Sequence, residues 1–182
     1  MSMYKQKVAL DLDGVIWDLV DPWINQYNVL FNDNKKLEDI TEYKLSNTLV
    51  KATSQELDKI LLNNDFWKNV LPFKYAVEYL EKLNNEFDLY IVTKTDYRLF
   101  EIKVSRILHL FPYIQPYQIV CLHNKQLFNA DWFVDDCIDN LVGGNFNKII
   151  LDAPYNRNTK YNWYRAYNLK DVYNIIKYGD NN

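Results

Sequence analysis

Val8-Ala9-Leu10-Asp11-Leu12-Asp13-Gly14-Val15 reads as a short apolar strand that delivers two carboxylates, one residue apart, to a turn opened by glycine. Two like charges are unfavourable at a buried strand end. At about 4 Å they repel by roughly 4 kcal/mol if the effective dielectric is near 20. A divalent cation with hard oxygen ligands is the simplest group to offset that repulsion. The other reading is a solvated Asp-rich turn after an edge strand, since Asp and Gly are ordinary turn formers.

The rest of the chain favours the first. A second apolar run, Phe87-Asp88-Leu89-Tyr90-Ile91-Val92, ends in Thr93-Lys94-Thr95. A third, Ala130-Asp131-Trp132-Phe133-Val134, ends in Asp135-Asp136, and Lys125 lies between the two. In open α/β sheets ligands bind beyond the carboxyl ends of the strands. The polar clusters converge on one site only if their strands are parallel neighbours.

Periodicity predicts strands over 7–12, 89–92, 118–122, 132–134 and 148–151. It predicts helices over 19–31, from Ser54 as cap, over 74–83, over 97–108 and over 169–178. Leu57, Ile60 and Leu61 would form one apolar face, and Ala76, Leu80 and Leu83 another. This alternation predicts an α/β fold with a mainly parallel sheet covered by helices. The chain has 182 residues, 48% of them hydrophobic, with no repeat or Pro/Gly-rich linker, which fits one domain with a real core. No stretch is long and apolar enough to span a membrane, and the polar start followed by an interrupted apolar run predicts no signal peptide and a cytoplasmic setting. A net charge of −3 without Lys/Arg blocks argues against coating a nucleic-acid polymer. Cys121 and Cys137 have neither metal nor redox spacing and read as small core residues.

Asp11-Leu12-Asp13-Gly14-Val15-Ile16-Trp17-Asp18, running into Asp21-Pro22-Trp23, resembles the first motif of the haloacid dehalogenase superfamily of phosphotransferases. Ala130 to Asp136 resembles the fourth motif, with Thr93 and Lys125 in the ordinal places between. Within that superfamily the likeness is to the 5'(3')-deoxyribonucleotidases, the C-type 5'-nucleotidases, and Ile150-Leu151-Asp152-Ala153-Pro154-Tyr155-Asn156-Arg157 resembles a strand and loop near their C-terminus. The resemblance implies a Rossmann-like three-layer sandwich over 1–20 and 71–182, with a small helical cap, 21–70, inserted after the first strand. Read from the residues alone, those helices could equally cover one face of the sheet.

It further implies a Mg²⁺-dependent hydrolase that dephosphorylates (deoxy)ribonucleoside monophosphates through an aspartyl-phosphate. A carboxylate can attack phosphorus and split hydrolysis into two easier steps, provided a cation neutralises the phosphoryl charge. Asp11 takes that role. Asp13, on the same side of an extended chain, would protonate the leaving oxygen and later activate water; its other reading is a helix or turn cap. The metal set implied is Asp11, Asp13 through its backbone carbonyl, and Asp136, with Asp135 in support. Asn140 is either an outer partner or a turn residue before Gly143-Gly144. Thr93 and Lys125 would bind phosphate. Lys94 stands where the family commonly has a small hydroxyl residue, and either contacts phosphate or faces solvent. Leu19, Tyr43 and Lys44 fall near family positions that line the nucleoside pocket. Trp17, Tyr43, Phe66 and Trp67 could stack on a base or belong to the core. His109 and His123 receive no role. The alternatives are the same chemistry on another small phosphomonoester, and a catalytically idle nucleotide-binding relative. A polynucleotide phosphatase lacks a basic groove here. A homodimer is left open.

Overall fold

Residues 5–179 are described by a computed structural model, in which every major run read from the sequence forms an element. In chain order these are β1 (Lys7–Leu10), β2 (Trp17–Asp18), α1 (Val20–Phe31), α2 (Ser54–Leu61), β3 (Leu71–Pro72), α3 (Ala76–Glu86) and β4 (Asp88–Thr93). They continue as α4 (Tyr97–Leu110), β5 (Ile119–Cys121), β6 (Trp132–Asp135), α5 (Ile138–Leu141), β7 (Asn147–Leu151), β8 (Tyr164–Ala166) and α6 (Leu169–Tyr178).

Six strands form one sheet in the order β5-β4-β1-β6-β7-β8, every pair parallel. β1 is central: Val8 pairs with Leu89 of β4 on one side and with Trp132 of β6 on the other. Val8, Ala9 and Leu10 are fully buried, which explains why β1 reads as a continuous apolar run. Side chains alternate between the two faces as the two-residue period demands. Val8, Leu10, Leu89, Ile91, Val134 and Ile149 join one core with Leu80 and Leu83 of α3, Ile107 of α4 and Val172 of α6. Ala9, Val92, Phe133 and Ile150 point the other way, against Leu141 of α5 and Phe146. The helical cover is therefore unequal, heavy on the first face and thin on the second.

Between β2 and β3 the chain runs through α1, α2 and several 3-10 turns, and Ile24, Tyr27, Leu57, Ile60, Phe66 and Trp67 there belong to the same apolar cluster as the heavy face. β2 and β3 pair antiparallel, Trp17 with Pro72 and Asp18 with Leu71, so the entry and exit of this segment lie side by side.

Several expectations are corrected. Thr53, not Ser54, caps α2: its Oγ1 accepts from the Glu56 N–H at 3.3 Å, and Glu56 accepts from the Thr53 N–H at 2.8 Å. The capping box needs a Glu or Gln three residues on, and Glu56 meets that spacing for Thr53. Cys121 is exposed, not a core residue, because β5 lies at the sheet edge; Cys137 is buried. β8 was not foreseen, since three residues amid aromatic and polar neighbours carry no strand pattern. Among the described residues no helix is long and apolar enough to cross a membrane.

Candidate active site

The order β4-β1-β6 places the ends of three adjacent strands together. Thr93 closes β4, Asp11 follows β1 and Asp135 closes β6. The Asp11 N–H donates to the Val134 carbonyl at 2.8 Å, so Asp11 is anchored by the ladder itself. Asp13 departs from the extended geometry expected of it. The chain turns after Asp11, with the Ile16 N–H donating to the Leu12 carbonyl at 3.0 Å and Gly14 at φ +77°. Glycine is required there twice over: the dihedral is left-handed, and a Cβ would lie 2.4 Å from Asp136 Oδ2.

Asp11, Asp135 and Asp136 each offer a carboxylate oxygen within 4.8 Å of the others. All three are buried, and Lys125, 1% exposed, sits among them. Its Nζ lies 2.6 Å from Asp11 Oδ1 and 2.7 Å from Asp135 Oδ2. Asp135 is saturated, for it also accepts from the Cys137 N–H at 2.8 Å and from Asn140 Nδ2 at 3.0 and 3.1 Å. Asn140 thus partners Asp135 instead of serving only as a turn residue. Asp136 is different: Tyr155 donates its hydroxyl to Oδ2, while Oδ1 is buried with no hydrogen-bond partner among the described residues. The Thr93 hydroxyl is likewise buried and unpartnered.

Burial, with Asp135 and Asp13 nearby, raises the Asp11 pKa to about 7 against the pull of Lys125. Burial first, then Asp135 and Asp11, holds Asp136 well above the ordinary carboxylate range. Burial opposes the Lys125 charge, but Asp11 and Asp135 outweigh it and push its pKa up. Three carboxylates against one ammonium, with one oxygen bare, fit a divalent cation bound through oxygen.

Above this floor lies a cleft of about 420 Å³. Its lining includes the polar groups of Asp13, Asp136, Tyr155, Tyr43, Lys44 and Lys94 and the apolar side chains of Leu19, Leu57 and Leu61. Leu19, Tyr43, Lys44 and Lys94 therefore converge on one space, while Asp11, Thr93 and Lys125 are buried outside its lining. Trp17 and Trp67 belong to the core: Trp17 is fully buried and its ring lies tilted to that of Trp67 at 6.0 Å, and the Trp67 indole donates to the Leu61 carbonyl at 2.7 Å. Phe66 packs with them, edge-on to Trp67.

Two residues escaped the sequence reading. Lys103 is buried on α4 and pairs with Asp13 Oδ2, while the Trp17 indole donates to Asp13 Oδ1 at 2.9 Å. Its signal was present, as a lysine on the buried stripe Leu99-Lys103-Ile107. Tyr155 lies in a turn with no periodicity to mark it.

A family model for 5' nucleotidase, deoxy (pyrimidine), cytosolic type C proteins matches residues 5–179. A 5'(3')-deoxyribonucleotidase of Clostridium acetobutylicum is 31% identical over 169 residues, 90% of this chain and 94% of the relative. One of Bacillus subtilis is 29% identical over 161 residues, 85% and 89% of the two chains. Among solved structures, a haloacid dehalogenase-like hydrolase of Streptococcus pneumoniae has a TM-score of 0.64 at 14% identity, covering 95% of this chain and 99% of its own. A magnesium-bound haloacid dehalogenase hydrolase of Bacillus subtilis has a TM-score of 0.57 at 17% identity, covering 96% and 99%. These structural likenesses concern the fold.

Proposed function

The chain belongs to the 5' nucleotidase, deoxy (pyrimidine), cytosolic type C family of phosphoric monoester hydrolases, and we propose that it removes phosphate from (deoxy)ribonucleoside monophosphates with Mg²⁺ as cofactor. The observation that carries this reading is the buried Asp11–Lys125–Asp135 ion-pair system beside the bare Asp136 oxygen, directly beneath a cleft with an apolar wall.

Asp11 and Asp136, with the Asp13 carbonyl, would hold the cation, which when bound neutralises phosphoryl charge and orients the phosphate. The Asp11 carboxylate attacks phosphorus; a new O–P bond forms as the ester O–P bond breaks. Asp13 gives a proton to the departing nucleoside oxygen, then takes one from the water that attacks the aspartyl-phosphate and restores Asp11. Trp17 and Lys103 hold the Asp13 carboxylate over the cleft. Lys125 opposes the protonation of Asp11 that burial favours, and the Thr93 hydroxyl donates to a phosphate oxygen. Leu19, Tyr43 and Lys44 face the nucleoside, and Lys94 stands beside its phosphate. Residues 21–70 act as a small cap that limits water in the site. The substrate is a free nucleotide, and the setting is cytoplasmic.

The test is phosphate release from ribo- and deoxynucleoside monophosphates, with phosphosugars as controls, with and without Mg²⁺. Turnover of deoxynucleotides that needs Mg²⁺ and falls at least about 10³-fold in Asp11→Asn is expected. Turnover of phosphosugars alone would discard the substrate and keep the chemistry.

A further inference from the structure

The loop after β7 grips Asp136 from two sides. Asn156, 1% exposed, donates Nδ2 to the Asp136 carbonyl at 2.8 Å and to the Leu151 carbonyl at 2.7 Å. Its Oδ1 accepts from Arg165 at 2.8 Å, and Arg165 also holds Asp152 at 2.7 Å, so the loop is itself braced against β8. In the same turn Tyr155 donates its hydroxyl to Asp136 Oδ2. Gly14 also lies against that oxygen, so near that a Cβ there would fall 2.4 Å from it. One Asp136 oxygen is thus tied and enclosed, while Oδ1 is buried and bare. A carboxylate otherwise turns easily about its terminal torsion. Here that freedom is removed, and the removal depends on a hydroxyl. The Tyr155 ring meets Tyr43 edge-on at 5.6 Å, and both line the cleft.

We infer that Tyr155 is a positioning residue for the cation site: its hydroxyl holds Asp136 Oδ2 so that Oδ1 is presented to a divalent ion. The assignment rests on the cation reading above. Without the hydroxyl the carboxylate rotates and its second oxygen competes for the ion, so the loss falls on metal affinity before it falls on chemistry.

Mg²⁺ is titrated calorimetrically into the full chain without nucleotide, for wild type and Tyr155→Phe. Groups that orient a metal ligand commonly govern affinity 10–100-fold, so the Mg²⁺ Kd of Tyr155→Phe is expected to rise about tenfold or more. A purely structural role would lower the melting temperature and leave the Mg²⁺ Kd in place. Tyr155→Leu and Tyr155→Met, which also lack the hydroxyl, serve if Tyr155→Phe does not fold. Wild-type Mg²⁺ affinity in any folded variant lacking the hydroxyl overturns the assignment and leaves the cation reading standing. A wild type that takes up no Mg²⁺ removes both.

Discussion

Asp11, proposed above as the nucleophile, is a carboxyl whose ionisation opposes the stability of the fold. Its carboxyl titrates near pH 7 in the fold, raised by burial, against an ordinary value of 3.8. Between those values the native state holds a proton that the unfolded chain has already lost, so stability falls as pH rises from about 4 to 7 and stays reduced above that. Asn mimics the neutral form. In EDTA, Asp11→Asn should melt higher than wild type at pH 8, and the gap should close toward pH 5. Differential scanning fluorimetry at the two pH values checks this; a gap that does not widen with pH would show that burial leaves the carboxyl ordinary. At this scale the sequence was legible to an unequal degree. The two Asp pairs announced themselves because charges at the end of an apolar run are costly. Tyr155 did not, and Lys103, though it stands on an apolar stripe, could not be tied to its partner, because each acts on a residue far away in the chain, Asp136 and Asp13 respectively.

α6 illustrates how element ends are decided locally. Asn168 accepts from the Lys170 N–H at 2.9 Å and the Asp171 N–H at 3.1 Å, which satisfies two donors that a helix start leaves free. The helix then presses Val172, Ile175 and Ile176 into the main core. Asn168→Ala should cost about 1 kcal/mol. For a chain of this size that is a fall of roughly 2–4 °C in melting temperature. Thermal denaturation followed by circular dichroism measures it, and an unchanged midpoint would mean that tertiary packing alone starts the helix. The bounds of α6 were read correctly because both of its signals are local. The cap of α2 was misplaced by one residue, since Thr53 and Ser54 are both suitable and only the position of Glu56 separates them.

At the scale of the molecule, residues 20–70 and the heavy face of the sheet share one apolar cluster, joined where Trp67 meets Trp17. A segment that shares its core cannot melt alone. Urea unfolding followed by tryptophan fluorescence and by far-ultraviolet circular dichroism should therefore give coincident transitions. Trp67→Ala should lower both midpoints together, by an amount equivalent to about 3–5 kcal/mol. An early fluorescence transition would show that the segment unfolds independently. The sequence by itself determined the alternation of strand and helix, the buried nature of β1 and the residues at the ends of β1, β4 and β6. Apolar periodicity and the cost of a charge are local properties, and they survive without coordinates. The tertiary structure alone decided that β1 lies between β4 and β6, that Asp135 is saturated while Asp136 keeps a bare oxygen, and that Trp17 and Trp67 are core. Strand order and hydrogen-bond satisfaction depend on which distant residues become neighbours, and no spacing along the chain records that.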